Sequence, residues 1–219
     1  MSVLYLIDRR NRAAFASQIE EMYRIRHRVY VDGRGWQAIA RADKREVDQF
    51  DTDDAIYLLG LGADGNVLSG IRLLPTTGPH LMRDVFAHTV TWGRVPSDER
   101  IYEMTRYFVW GNMRGEERRR AVNEVFCGAF EYAVARKLTH ISVVCDTFFV
   151  PRLLDGGWKP HHLGLPTEYA EGVCAALMLE VSSERLHLTK SQAGFDGPSL
   201  TFSSFPPPNA DRRDDAVAA

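Results

Sequence analysis

The chain has 219 residues, 45% of them hydrophobic and 26% charged, with a net charge of −2. That composition suits a globular domain with a full core and supplies no overall basic field for nucleic acid. No apolar run reaches the roughly 18 residues that span a bilayer, so no stable membrane association is expected, and MSVLYLIDRRNR lacks the order of a signal peptide.

Val3 to Ile7 reads as a strand. A helix is predicted over Arg12 to Val31, with Asp8 or Asn11 near its start. After a Gly-rich, charged connection, Ala55 to Leu61 and Val67 to Leu74 are apolar runs around Asp64-Gly65, a hairpin signal. Ile101 to Trp110, rich in aromatic and branched residues, reads as another strand. Glu116 to Lys137 is predicted helical, because Val122, Val125, Phe126, Ala129, Phe130 and Ala133 recur at helical spacing. His140 to Cys145 is a strand, Phe148 to Leu154 a short helix stopped by Gly156-Gly157, and Val173 to Val181 a late strand. Ser182 or Ser183 caps a last helix.

This alternation argues an α/β or α+β sandwich. One domain is expected over residues 1–205. Pro206-Pro207-Pro208 then opens a polar tail, 206–219, read as disordered. Cys127, Cys145 and Cys174 form no CxxC pair, and their odd count suits a cytoplasmic protein with small buried thiols.

The first helix holds the most informative residue. With Phe15 at zero and about 100° per residue, Arg26 falls near 20°, inside the stripe of Ile19, Met22 and Tyr30. Arg24 and Arg28 fall on the far side. An inward guanidinium needs carboxylates or a bound anion; the alternative is an arginine snorkelling along the stripe's edge. Asp48 and Asp51 in VDQFD are available, although taken alone they read as a solvated acidic loop. Arg72, within VLSGIRLLP, is either a cleft-facing charge or an edge-strand residue. Glu103 and Arg106 in IYEMTRYFV point to opposite faces unless a bulge intervenes, and a cross-strand ion pair also accounts for them. His161-His162 read as surface residues, and no metal site is expected.

In order and spacing, these features resemble the acyl-homoserine lactone synthases of the LuxI type. Arg26 precedes the aromatic Tyr30 by four residues, and Gly35-Trp36 follows. VDQFD matches the acidic motif, RLLPTTGPHLM carries Arg72 ahead of Phe86, and Glu103, Thr105 and Arg106 match E-x-[ST]-R. The family usually has phenylalanine where this chain has Tyr30. The resemblance implies a GNAT-like mixed sheet flanked by helices, with a V-shaped cleft between parallel strands.

It also implies an acyltransferase that makes a quorum-sensing signal. The methionyl amine of S-adenosylmethionine attacks an acyl thioester, and the carboxylate then displaces methylthioadenosine to close the lactone. The donor is acyl carrier protein or acyl-CoA; S-adenosylmethionine is a substrate, and no cofactor is implied. Glu103, Arg26, Asp48 and Arg106 take the catalytic roles, with Glu103 facing the cleft as base. Tyr30, Trp36, Asp51, Arg72 and Phe86 bind S-adenosylmethionine. Ile141, Val143, Phe148 and Phe149 line the acyl pocket. The face of Ile141, Val143 and Cys145 lacks a donor for a 3-oxo group, which a one-residue register shift would reverse by bringing in Ser142; Phe148 and Phe149 either narrow the pocket for a short, branched or aromatic chain or belong to the core.

Two other functions fit the sequence less well. A GNAT acetyltransferase acting on another amine is disfavoured because MRGEERRRAVNE lacks the second glycine of a pyrophosphate loop. A non-enzymatic S-adenosylmethionine- or acyl-binding regulator leaves inward charges on three segments without a purpose. Arg118, Arg119 and Arg120 meet an acidic carrier protein or form a solvated helix face.

Overall fold

The computed structural model describes residues 2–203; the tail expected at 206–219 lies outside them. Nine strands make one mixed sheet: β1 (Val3–Ile7), β2 (Ile56–Leu61), β3 (Val67–Pro75), β4 (Ile101–Val109), β5 (His140–Asp146), β6 (Pro160–His162), β7 (Thr167–Tyr169), β8 (Gly172–Glu180) and β9 (Leu200–Thr201). Their order is β6-β8-β5-β4-β3-β2-β1-β9, with β7 on the outer part of β8. The helices are α1 (Ala16–Arg26), α2 (Leu81–Asp84), α3 (Gly115–Ala135), α4 (Val150–Asp155) and α5 (Ser183–Ala193).

Both faces of the sheet are covered, which explains why its central strands read as nearly continuous apolar runs. Leu4, Leu6, Ile56 and Leu58 pack against α3 with Val125, Phe126 and Phe130. The alternate residues Tyr5, Ile7, Tyr57 and Leu59 pack on the other face against Phe15, Ile19 and Met22 at α1. Gly128 lets α3 press onto β1, since a side chain there would run into Leu4. Ser182 caps α5 by accepting from the Arg185 amide at 3.2 Å, as expected.

The predicted first helix differs in its second half. Regular α-helix ends at Arg26 and a wider π-helical turn carries the chain from His27 to Gly33. Such turns place an extra residue in the helix and are common at functional sites. The short elements α2, β6, β7 and β9 were not predicted; at two to four residues they show no countable periodicity.

Two irregularities make the cleft. β4 and β5 run parallel but pair only over Ile101–Glu103 and His140–Ser142, after which they diverge. Between β3 and β4 the register slips: Gly70 faces Phe108, but Arg72 faces Thr105. The extra residue is accommodated at Arg106, whose φ is 53°. This is the bulge that Glu103 and Arg106 required to share a face.

Candidate active site

The cleft between the diverging strands encloses a cavity of about 440 Å³. One wall is charged. Arg26, at the end of α1, is completely buried. Its Nε donates to Glu46 at 2.5 Å, and its two terminal nitrogens donate to Asp51 at 2.8 and 2.9 Å. Arg72 donates to Thr105 at 3.0 Å, to Asp48 at 2.6 and 2.9 Å, and to Asp51 at 2.8 Å. Arg106 closes the set, donating to Glu46 at 3.0 Å and to Asp48 at 2.8 Å. Three guanidiniums therefore face three carboxylates with no net charge, the condition under which buried ions are tolerable. Burial alone would raise Glu46 and Asp51; Arg26 with Arg106, and Arg26 with Arg72, hold the two carboxyls below their ordinary range instead.

Only the front of this network reaches the cavity. Asp48 and Arg106 line it; Arg26, Glu46, Asp51 and Arg72 stand behind. Arg26, Asp51 and Arg72 are each enclosed by their own partners and do not line the cavity. Arg72 is not on an edge strand, since β3 lies between β2 and β4. Glu46 was missed. In ADKREVDQFD it reads as one surface charge among many, yet three inward arginines needed a third carboxylate, and that shortfall was the available signal.

Glu103 is also displaced from its expected place. It is fully buried and does not line the cavity. Its carboxylate accepts from the amides of Leu81 and Met82 at 2.7 and 2.6 Å, because the first turn of α2 leaves those donors free. Burial outweighs these two bonds and pushes its pKa up to about 7. Glu103 and Arg106 do not pair with each other; Arg106 takes Glu46 and Asp48.

The opposite wall is apolar. Met104, Tyr107, Phe126, Val143, Val144, Cys145, Phe149 and Cys174 line it. Tyr107, Phe126 and Phe149 form a ring cluster with centroids 4.8, 5.6 and 6.0 Å apart. Two expected members are absent. Ile141 sits below the divergence point, packed into the core, and Phe148 faces outward with 71% exposure. Cys174 is buried, Cys145 is partly buried against the core, and both also line the cavity.

Aromatic residues roof the space. Tyr30 and Trp36 stack at 4.9 Å, Phe86 and Tyr169 meet edge to face at 6.2 Å, and all four line the cavity. The Tyr30 hydroxyl donates to the Tyr107 carbonyl at 2.6 Å, fixing the roof to the bulged strand. A second cavity, about 470 Å³, lies between α3, α4 and α5 and is lined by Arg118, Arg119 and Arg152; Phe126 borders both. Among the described residues no group of three metal-ligating side chains is assembled, and His161 and His162 are exposed.

Comparison with known proteins places this architecture. A family model described as autoinducer synthase matches residues 11–188. The isovaleryl-homoserine lactone synthase of Bradyrhizobium diazoefficiens is 31% identical over 205 residues, covering 90% of this chain and 91% of the relative. A solved CoA-dependent acyl-homoserine lactone synthase, BjaI, with SAM and isopentyl-CoA, superposes with a TM-score of 0.86 at 28% identity, over 93% of this chain and 94% of that one. The CoA-dependent acyl-homoserine lactone synthase MesI superposes with a TM-score of 0.79 at 36% identity, over 90% and 98%. N-acetyltransferase structures share the fold alone, so the sheet is GNAT-like. The chain belongs to the autoinducer synthase family, and these relatives are acyl-homoserine lactone synthases.

Proposed function

We propose that this chain is a cytoplasmic enzyme that joins S-adenosylmethionine to an acyl thioester and releases an N-acyl-homoserine lactone and methylthioadenosine. The observation that carries this reading is the cavity at the strand divergence, charged on one wall, apolar on the other and roofed by aromatic rings. It matches a polar, cationic substrate on one side and an acyl chain on the other.

In the first step the methionyl amine attacks the thioester carbonyl; the C–N bond forms, the C–S bond breaks and the thiol departs. In the second, the methionyl carboxylate attacks the γ-carbon and methylthioadenosine leaves with the sulfonium's electron pair. The second step mainly needs the substrate folded on itself. The first needs a neutral amine and a stabilised oxyanion. Glu103, acting through water, takes the amine proton, and its raised pKa suits that work near neutral pH. A backbone donor at the Arg106 bulge meets the oxyanion. Asp48 and Arg106 orient the methionyl group, with Arg26, Asp51 and Arg72 fixing them from behind. Tyr30, Trp36 and Phe86 supply surface for the adenosine. No cofactor takes part.

The acyl chain lies against Val143, Phe149 and Phe126, which offer no hydrogen bond to a 3-oxo group. Stripping that carbonyl of water would cost about 1–3 kcal/mol. We read the chain as short, branched or aromatic, and its carrier as coenzyme A. The naming of an isovaleryl synthase and of CoA-dependent enzymes among the relatives supports this. The carrier arm then runs toward Arg118, Arg119 and Arg152 in the second cavity.

Methylthioadenosine release on incubation with S-adenosylmethionine and a panel of acyl-CoA and acyl-carrier thioesters tests the reading. Release with isovaleryl-, short-chain or aryl-CoA supports it. A predominant 3-oxo lactone, or turnover restricted to acyl carrier protein, overturns the donor and chain assignments.

A further inference from the structure

Three segments distant in sequence meet at one carboxylate over the first cavity. Asp146 ends β5, on the apolar limb of the cleft. One of its oxygens accepts from Arg34 at 3.0 Å, just beyond the π-helical turn. The other accepts from the Tyr169 hydroxyl at 2.5 Å, on β7. Arg34 in turn lies over the rings of Tyr30 and Trp36 at 5.5 and 5.7 Å. Trp36 meets the edge of Tyr169 at 6.5 Å. Asp146, Arg34, Trp36 and Tyr169 all line the cavity.

The charged network anchors only the beginning and end of the segment between α1 and β2, through Arg26, Glu46, Asp48 and Asp51. The stretch around Trp36 lies between those anchors, and Arg34–Asp146 ties it to the far limb. With side chains 34% and 13% exposed, this pair is drier than an ordinary surface bridge.

We propose that Asp146 is the positioning residue of a clasp that holds the Arg34–Trp36 segment against the β7–β8 hairpin, setting the aromatic roof in place before S-adenosylmethionine enters. The inference rests on reading the first cavity as the S-adenosylmethionine site. A roof ordered in advance lowers the ordering cost of binding without touching the reacting atoms. The loss should therefore fall on KM for one substrate and leave kcat alone.

Steady-state rates with S-adenosylmethionine varied at saturating acyl-CoA separate the two. Asp146→Ala and Arg34→Ala should each raise KM for S-adenosylmethionine about tenfold, with kcat and the acyl-CoA KM changing less than about twofold. Combining them should cost less than the sum of the single changes, because both remove the same Arg34–Asp146 tie. Arg34→Lys, keeping the charge, should recover part of the loss. An unchanged KM, equal rises for both substrates, or additive losses in the double variant would overturn the clasp. Arg34 lies on an exposed segment, so its variant decides the matter even if Asp146→Ala does not fold. If the unaltered enzyme released no methylthioadenosine, the reading of the cavity itself would fail instead.

Discussion

The two walls of the cavity are built on different physical terms. On the charged wall, every arginine has at least two partners and every carboxylate at least two donors. Such a set is all or nothing, because one missing member leaves its partners charged and buried. On the apolar wall, Val143, Phe126 and Phe149 touch without direction, and their contribution scales with area. The charged wall should therefore tolerate almost no change, whereas the apolar wall should trade one acyl chain for another.

The largest expected effect comes from breaking the charged wall at its buried end. Arg26→Ala should abolish lactone synthesis and destabilise the fold by about 3–5 kcal/mol in chemical denaturation, because Glu46 and Asp51 lose a shared partner. Arg24→Ala, on the exposed side of the same helix, should stay within about 0.5 kcal/mol. Equal activity in the two variants would dissolve the contrast between the walls.

Glu103→Gln keeps the side chain's size, gives up one of the two α2 amide bonds and removes the base, so turnover at pH 7 should fall by about 10²-fold. In the unaltered enzyme, activity should rise with pH through about 7, the value at which Glu103 gives up its proton. The Gln variant should lose that rise. Near-normal turnover in it would make Glu103 a structural cap only.

The same groups predict opposite trends in stability. Glu46 and Asp51 have folded pKa values below their unfolded ones of about 4.3 and 3.9. Their contribution is complete above about pH 5 and is lost as pH falls through the folded values. Glu103 has a folded pKa raised to about 7, so the folded state binds the extra proton, and its contribution declines as pH rises from about 4.5 to 7. Melting in Glu103→Gln should lose the second slope and keep the first.

Smaller effects belong to the apolar wall. Val143→Thr introduces a hydroxyl and should shift selectivity toward 3-oxo chains by about 1–3 kcal/mol while retaining a folded enzyme, as competition between acyl-CoA donors would show. Phe148→Ala, at an exposed ring, should change acyl selectivity and stability by less than about 0.5 kcal/mol. A selectivity change at Phe148 as large as that at Val143 would mean the acyl chain leaves by another route.

The sequence alone determined what depends on local spacing. The inward turn of Arg26 followed from its angle on the helix, because helical phase is a property of adjacent residues. The long strands and α3 were legible for the same reason. The need for a bulge between Glu103 and Arg106 followed from strand alternation, and the structure supplies it at Arg106. What no spacing could reveal was which distant groups would meet. Glu46 joined the network because the return of the segment after α1 brought it under Arg26 and Arg106. Glu103 turned to α2 because a four-residue helix placed its free amides there. Ile141 fell below the divergence of β4 and β5 and Phe148 beyond it, since the parallel pairing stops at Ser142. Asp146, Arg34 and Tyr169 carry no local signal at all. Their meeting depends on three chain segments closing together, and long-range closure is fixed by packing of the whole sheet rather than by the residues beside each one.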